Sequence, residues 1–302
     1  RAICQKLGNW LSLRSKILLI LAVNLSCGAK MLSPKQIEKY AKDGYLPGIP
    51  ILSAQEVKHF YESCHRCCGV EIKDGVRRQA SNRVKPFLLY PWASKLIRHN
   101  GILDAVESLI GPNIFVFHTT VWFKNAGAGN YVPWHQDATY FGLYPYEHVT
   151  AWVALTDSTL ENGCVEVLPG SHNSGQKPHR DNRDELAMLS RGQTLSINLD
   201  ESAGVLLELS AGDVSFHHTL LMHRSAPNNS REPRIGIGIS YIPTHVRHLT
   251  KTRLSATLVR GVDNFGYFDQ EPSPTKENDE ASISAHAESL ARFQEASESI
   301  PE

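Results

Sequence analysis

A histidine and an aspartate two positions apart are the first residues of this chain that could do chemistry together. His135 and Asp137 stand in WHQDATYF, and side chains two apart in an extended strand project from the same face. GDVSFHHTLLMHRSAPNN offers a third metal ligand in His217, His218 or His223. Two histidines and one carboxylate are typical of non-heme iron(II) sites, which leave three adjacent positions open for substrate and oxygen.

Zinc can bind the same ligands, so the metal is open at this point. A hydrolytic zinc site usually has a placed glutamate base, and no HExxH motif accompanies these residues. CHRCC, with Cys64 and Cys67, resembles half of a zinc site, but no second cysteine pair completes it. The surrounding SAQEVKHFYESCHRCC has helical periodicity, so we expect buried free thiols and a reducing compartment.

A strand with strict alternation follows the last candidate histidine. In RIGIGISY one face carries Arg234 and then two glycines, while the other face carries isoleucines. The isoleucine face belongs in the core, whereas the glycine face has so little side-chain volume that it can border a cavity. Arginine holds a carboxylate by paired, charge-assisted hydrogen bonds, and Ser225 could add a hydroxyl. This pattern favours a dicarboxylate ligand anchored at one end while the other end chelates the metal.

The elements that position these residues change character along the chain. Helical periodicity covers residues 34–43, 54–67 and GILDAVESLIG, which Gly111 and Pro112 end. From Asn113 onward the pattern is of short β-branched or aromatic segments separated by turn residues, such as FVFHTTVWFK, TAWVALTD and GDVSFHH. Strands without intervening helices predict an antiparallel barrel or sandwich with helices packed outside it.

Charge divides the chain of 302 residues, although its 31 basic and 31 acidic residues balance. Residues 1–30 carry five basic and no acidic side chains, and 270–302 carry two basic and eight acidic ones. We therefore expect a leader or non-native upstream segment (1–30), one folded domain (31–269) and a solvated acidic tail with a possible short helix (270–302). The neutral body gives no reason to expect nucleic acid or membrane as a partner. A cytoplasmic location is expected, or export if 1–30 is a signal peptide.

The motifs HQD, NGCVEVLPGSH and GDVSFHH with MHRSAPNNSREPR resemble the phytanoyl-CoA dioxygenase family of iron(II)- and 2-oxoglutarate-dependent oxygenases. The resemblance covers roughly residues 34–260. It implies a mainly β fold with flanking helices, a double-stranded β-helix (jelly roll, cupin-like). The iron ligands it implies are His135, Asp137 and His223. The residues it places at the 2-oxoglutarate are Arg234, Ser225, Trp152, Gln136 and Thr120.

The function implied by this resemblance is hydroxylation of an unactivated C–H bond of a small molecule. Iron(II), 2-oxoglutarate and dioxygen would be required, with release of succinate and carbon dioxide. Halogenating relatives have a small residue at the position of Asp137, so the carboxylate here favours hydroxylation. The alternatives are a non-catalytic jelly-roll binding protein and a zinc-dependent hydrolase or lyase on a cupin-like barrel. The substrate and the oligomeric state stay open, and residues 173–202 are expected to form a lid over the iron.

Overall fold

The computed structural model describes residues 32–73, 76–79, 81–181, 184–189 and 193–298. The predicted leader, residues 1–30, lies outside this part of the chain. None of the helices in the described residues is long and apolar enough to cross a membrane. The α-helices are Pro34–Asp43 (α1), Ala54–Cys68 (α2), Pro91–Leu96 (α3), Asn100–Ile110 (α4), Asp137–Phe141 (α5) and Glu280–Ser297 (α6).

Most of the β-strands lie beyond residue 113, as the sequence predicts. In the first half they are Tyr45–Pro50 (β1), Val70–Lys73 (β2), Val76–Gln79 (β3), Ile114–Lys124 (β4), Val132–His135 (β5), Leu143–Tyr144 (β6), Val149–Ala154 (β7) and Val165–Val167 (β8). They continue as His179–Arg180 (β9), Thr194–Leu195 (β10), Val205–Leu207 (β11), Asp213–His218 (β12), His223–Ser225 (β13), Arg234–Pro243 (β14), Arg247–His248 (β15), Ser255–Arg260 (β16) and Asp269–Gln270 (β17).

Two sheets form the body of the protein. The larger has the strand order β1-β12-β7-β14-β4-β16-β17 and the smaller has β11-β8-β13-β5. Trp152 and Ala154 on the larger sheet share an apolar cluster with Val165, Val167 and Leu207 on the smaller, so the two sheets face each other. This arrangement confirms the predicted jelly roll. The sheets are separate and do not close into one continuous barrel.

Strand β14 shows why the sequence folds this way. Its three alternating isoleucines, Ile235, Ile237 and Ile239, pack in the main core. This core also contains Phe60 from α2 and Ile102 from α4. The opposite face of β14 borders the smaller sheet, and there a close approach requires glycine at position 236. A Cβ atom on Gly236 would lie 2.2 Å from Cζ2 of Trp152, which no side chain tolerates. The alternation read from the sequence is therefore confirmed on both faces.

The C-terminal segment differs from the solvated tail that its composition predicts. Helix α6 has 18 residues, begins at the cap Asp279 and packs Phe293 against Phe117 and His118, with ring centroids 5.9 and 5.0 Å apart. Its Ser289 accepts a hydrogen bond from Lys85. The apolar residues were visible as a helical pattern, but the partners that bury them lie far away in the sequence.

A buried ion pair holds the same region to the body. Lys85 Nζ lies 2.6 Å from Glu271 Oε1, and the two side chains are 2% and 3% exposed. Glu271 also accepts hydrogen bonds from Ser255 and Thr257 on β16. A buried charge requires an opposite charge and hydrogen-bond partners of this kind, because an unpaired buried charge is strongly destabilising.

The cysteines of CHRCC are explained by helix α2 alone. Cys64 and Cys68 are fully buried in the main core, and both are free thiols, as are Cys67 and Cys164. Burial raises the pKa of the Cys67 thiol, which disfavours the thiolate that binds metals. This segment is therefore part of the helix packing.

The docking of α6 can be tested by removing its largest buried side chain. Phe293→Ala should lower the free energy of unfolding by about 3–5 kcal/mol, because it deletes a buried aromatic ring and leaves a cavity. Ile283→Ala on the same helix is the control, since Ile283 is 49% exposed, and it should change stability by less than about 0.5 kcal/mol. Urea denaturation measures both. Equal effects from the two variants would contradict a docked helix.

Candidate iron and cosubstrate site

Three side chains converge because β5 and β13 are neighbours in the smaller sheet. His135 is the last residue of β5, and it pairs in register with His223, the first residue of β13. The sequence predicts that Asp137 continues the strand, but in the structure Asp137 is the first residue of helix α5. Gln136 between them is extended, with φ −120° and ψ 132°. This single extended residue leaves His135 and Asp137 on the same side before the chain turns.

The donor atoms of these three residues form a compact set. Asp137 Oδ1 lies 3.5 Å from His135 Nε2 and 3.8 Å from His223 Nε2, and the three ligand atoms all lie within 4.8 Å of one another. Among the histidine, cysteine and carboxylate side chains of the described residues, these three are the group that could hold a metal ion. Two imidazoles and one carboxylate suit iron(II), so the donor set fits the predicted metal.

Hydrogen bonds to the main chain determine which imidazole nitrogen is free. His135 Nδ1 is 2.9 Å from the carbonyl of Pro133, and His223 Nδ1 is 2.9 Å from the carbonyl of Leu221. A carbonyl only accepts, so each Nδ1 carries the proton and each Nε2 keeps its lone pair. Both lone pairs then point toward Asp137 Oδ1, as metal ligation requires.

Burial and mutual contact also set the charges of this group. Burial, followed by the charge of His135, lowers the pKa of His223 well below its usual value, which keeps the ring neutral. Burial alone would raise the pKa of Asp137, but the close imidazoles of His135, His217 and His223 hold it well below the usual range. Neutral imidazoles and an ionised carboxylate are the protonation states in which these residues bind a metal.

The second oxygen of Asp137 is held by a buried polar chain. Thr150 Oγ1 donates to Asp137 Oδ2 at 2.8 Å, and His148 Nε2 lies 3.1 Å from the same hydroxyl. The Thr150 hydroxyl already donates its proton to the carboxylate, so His148 Nε2 must donate to the Thr150 oxygen. His148 Nδ1 then accepts a hydrogen bond from the Thr219 hydroxyl at 3.0 Å. This chain orients the carboxylate so that Oδ1 faces the two histidines.

The structure separates the three candidate histidines of GDVSFHHTLLMH. His223 belongs to the donor set, whereas His217 Nε2 lies 3.5 Å from Asp137 Oδ2, the oxygen on the far side. His218 faces away from the site, against His172, with ring centroids 5.2 Å apart. Neither ring nitrogen of His217 has a hydrogen-bond partner among the described residues. His217 therefore lines the cavity beside the donor set without joining it.

A cavity of about 160 Å³ runs from this donor set to Arg234 and Ser225, the predicted carboxylate-binding residues. Arg234 is 2% exposed, and its Nη1 donates to Ser225 Oγ at 3.2 Å and to the carbonyl of Gly163. The guanidinium carbon lies 5.0 Å above the Trp152 ring. The predicted pocket residues that line the same cavity are Arg234, Ser225, Trp152, Gln136 and Thr120.

Gln136 lines the cavity but uses its amide elsewhere. Its Nε2 donates to the carbonyls of Gly175 and Leu220 at 3.1 and 2.7 Å, and its Oε1 accepts from the main-chain N–H of Lys177 at 2.7 Å. The family resemblance predicts that this amide helps to orient the cosubstrate or the substrate, and this stays a prediction. In the structure the contacts with Gly175 and Lys177 fasten the connection after residue 173 to the end of β5.

The long connection 173–202 reaches the site through its described residues. His179 Nε2 accepts a hydrogen bond from the main-chain N–H of Gln136 at 3.0 Å, and Met188, Leu189 and Gln193 line the cavity. Arg180 is exposed, and Arg183 lies outside the described residues. The connection thus covers one side of the cavity, as a lid would.

Two cationic residues near the cavity carry no signal in the sequence. Arg83 lines the cavity, with its guanidinium carbon 5.6 Å from the Trp122 ring. Lys124 ends β4 and pairs in register with Arg234. No motif marks either residue, and the register that places Lys124 beside Arg234 joins segments far apart in the chain. The alternation of FHTTVWFK shows only which face of a strand each side chain occupies.

Comparison with known proteins agrees with this geometry. A model of the phytanoyl-CoA dioxygenase family matches residues 40–236. Phytanoyl-CoA dioxygenase 1 of Oryza sativa subsp. japonica is 36% identical over 198 residues, covering 64% of this chain and 68% of that protein. L-proline trans-4-hydroxylase of Streptomyces griseoviridis is 26% identical over 238 residues, covering 72% of this chain and 88% of that protein. The solved structure of apo ThoJ, a non-heme monooxygenase, has a TM-score of 0.77 and 31% identity, covering 88% of this chain and 98% of its own.

The role of the polar chain behind Asp137 can be tested at Thr150. Thr150→Val removes the hydroxyl that orients the carboxylate and should weaken iron(II) binding about tenfold to a hundredfold, the usual cost of losing such a partner. Thr257→Val is the control, because its buried hydroxyl donates to Glu271 away from the site. Anaerobic calorimetric titration with iron(II) measures both affinities. Unchanged affinity in Thr150→Val, or an equal loss in both variants, would contradict the assigned role.

Proposed function

The chain belongs to the phytanoyl-CoA dioxygenase family, and on this premise we propose that it is a hydroxylase that inserts oxygen into an unactivated C–H bond of a small molecule. Iron(II), 2-oxoglutarate and dioxygen are the cofactors of the family. The observation that carries the proposal is one cavity with a metal-binding donor set at one end and Arg234 with Ser225 at the other. A dicarboxylate with a 2-oxo group matches both ends.

The residues divide the work of binding between them. His135, Asp137 and His223 would hold iron(II) on one side, which leaves the cavity side open for ligands. Arg234 and Ser225 would bind the distal carboxylate of 2-oxoglutarate by charge-assisted hydrogen bonds. When bound, the metal supplies the reaction of dioxygen with 2-oxoglutarate, which yields succinate and carbon dioxide and transfers one oxygen atom to the substrate as a hydroxyl group.

An apolar part of the remaining cavity wall is suited to shielding this chemistry from water. Tyr140, Phe141 and Met188 line it together with Leu189. An apolar enclosure excludes solvent from a reactive centre, which protects the intended C–H bond as the site of oxidation. These side chains support a substrate with an apolar portion at the reacting carbon.

The two alternative functions account for less of the site. A zinc hydrolase or lyase has no use for a buried arginine and serine at the far end of the cavity, and the described lining residues include no glutamate that could serve as its base. A non-catalytic binding protein has no need of the complete donor set. The oxygenase alone requires both ends.

Cosubstrate binding provides the first test. Anaerobic addition of iron(II) and 2-oxoglutarate to the protein should produce a weak visible charge-transfer band, because chelation places the 2-oxo acid directly on iron(II). Zinc(II) in place of iron(II) is the control and should give no band, since zinc has a filled d shell. Folded protein that gives no band with iron(II) would favour the zinc or the non-catalytic alternative.

The donor set is tested by removing its carboxylate. Asp137→Ala should reduce succinate release, measured against a panel of candidate substrates, to the background level, because it deletes one of three metal ligands. Asp43→Ala is the control: Asp43 forms a surface ion pair with Lys39, and such pairs contribute little. Retained turnover in Asp137→Ala would overturn the ligand assignment.

A further inference from the structure

Lys124 is a buried cation that neither the motifs nor the ligand set explains. It is 1% exposed and stands opposite Arg234, where β4 pairs with β14. We propose that Lys124 is a positioning residue for the cosubstrate, which presents Ser225 as a hydrogen-bond donor and supplies a second positive charge to the distal carboxylate. This inference rests on the proposed function, since it concerns the 2-oxoglutarate end of the same cavity.

The hydrogen bonds around Ser225 show how Lys124 would act. Lys124 Nζ donates to the Ser225 carbonyl at 2.9 Å, to Ser225 Oγ and to the carbonyl of Ala226. Arg234 donates to the same Oγ at 3.2 Å. When Lys124 is protonated, its ammonium and the guanidinium of Arg234 can only donate, so the hydroxyl proton must point away from both of them.

The direction of that proton matters for a carboxylate ligand. Without a ligand, the hydroxyl donates to the carbonyl of Gly163 at 2.8 Å, and Arg234 donates to the same carbonyl. A carboxylate entering beside Arg234 can replace this carbonyl as the acceptor for both groups. Lys124 continues to donate to Ser225 Oγ, so the proton of the Ser225 hydroxyl stays directed toward the bound carboxylate.

The charges at this end of the cavity are unbalanced. Among the described residues, no carboxylate lies within ion-pair distance of Lys124 or Arg234. Burial, followed by the charge of Arg234, lowers the pKa of Lys124 to about 6, and burial lowers that of Arg234 to about 10. Two adjacent buried cations are costly without a counter-ion, which disfavours the protonated form of Lys124 until the distal carboxylate of the cosubstrate provides one.

Lys85 shows what a purely structural buried lysine looks like in the same protein. It is 2% exposed, and its charge is neutralised by Glu271 at 2.6 Å. Lys124 is buried to the same extent, but its acceptors are carbonyls and a hydroxyl. The missing counter-ion is the difference that a bound anion would remove.

The experiment compares two cosubstrates that differ only at the distal end. 2-Oxovalerate has the five carbons and the 2-oxo acid group of 2-oxoglutarate, but a methyl group replaces the distal carboxylate. Dissociation constants for both are measured anaerobically with iron(II) for the wild type, Lys124→Gln, Lys124→Arg and the matched control Lys85→Gln. Thermal unfolding of each variant checks that it is folded.

Lys124→Gln should weaken 2-oxoglutarate binding about tenfold to a hundredfold, the range for a hydrogen bond involving a charged group, and leave 2-oxovalerate binding within about twofold. Lys124→Arg should recover part of the loss because it keeps the charge. Lys85→Gln should leave the ratio of the two constants as in the wild type. An equal loss for both ligands in Lys124→Gln, or no loss, would overturn the inference while leaving the proposed function intact. A wild type that shows no preference for 2-oxoglutarate would overturn both.

A measurement on the wild type alone covers the case in which Lys124→Gln does not fold. The groups facing Lys124 are Arg234 on β14, Ser225 on β13 and Cys164, whose pKa burial raises to about 11. The pKa of Arg234 is about 10, so Lys124, with a pKa of about 6, is the one among these four groups that can change its protonation between pH 6 and 9. An incoming carboxylate raises its pKa, so binding takes up a proton, and the preference for 2-oxoglutarate over 2-oxovalerate should fall as the pH rises through this range. A preference that stays constant would contradict the inference.

Discussion

Antiparallel pairing between β5 and β13 is the constraint on which the rest of the site depends. It places His135 directly opposite His223, so two imidazoles from distant parts of the chain meet with ring centroids 4.0 Å apart. The chain then turns into α5 one residue after the strand, which brings the Asp137 carboxylate into the same space. A register shift of one residue would point one histidine to the opposite face of the sheet, and the donor set would be lost.

The larger sheet contributes the opposite end of the cavity, and it does so largely by omitting side chains. Gly236 and Gly238 leave a gap on the inner face of β14, and Trp152 from β7 closes part of it. Arg234 reaches into this space from the start of the same strand and stacks on the tryptophan ring. The separation between the metal donors and the arginine is thus set by the distance between two packed sheets, each braced by its own core.

Buried charges in this protein are of two kinds, and their surroundings distinguish them. Lys85 and Glu271 neutralise each other and join the C-terminal helix to the body. Lys124 and Arg234 lie together with no acidic partner among the described residues. A buried charge without a partner raises the free energy of the folded protein, so such a cluster is consistent with a site whose counter-ion is a ligand.

The sequence alone determined the features that depend on local spacing. Period and residue type, which neighbouring residues in the chain set, give the alternation of β14, the choice of Arg234 as a candidate anion-binding residue and the presence of candidate metal ligands at 135 and 137. The residue types alone did not separate His223 from His217 and His218; the family resemblance did so first, and the strand register then placed only His223 with the other donors. Tertiary structure also decided that Gln136 binds the following connection, that α6 is docked and that Lys124 lies beside Ser225. Each of these depends on contacts between segments far apart in the chain, and such contacts are set by sheet register and core packing, which leave no periodic signal in the sequence.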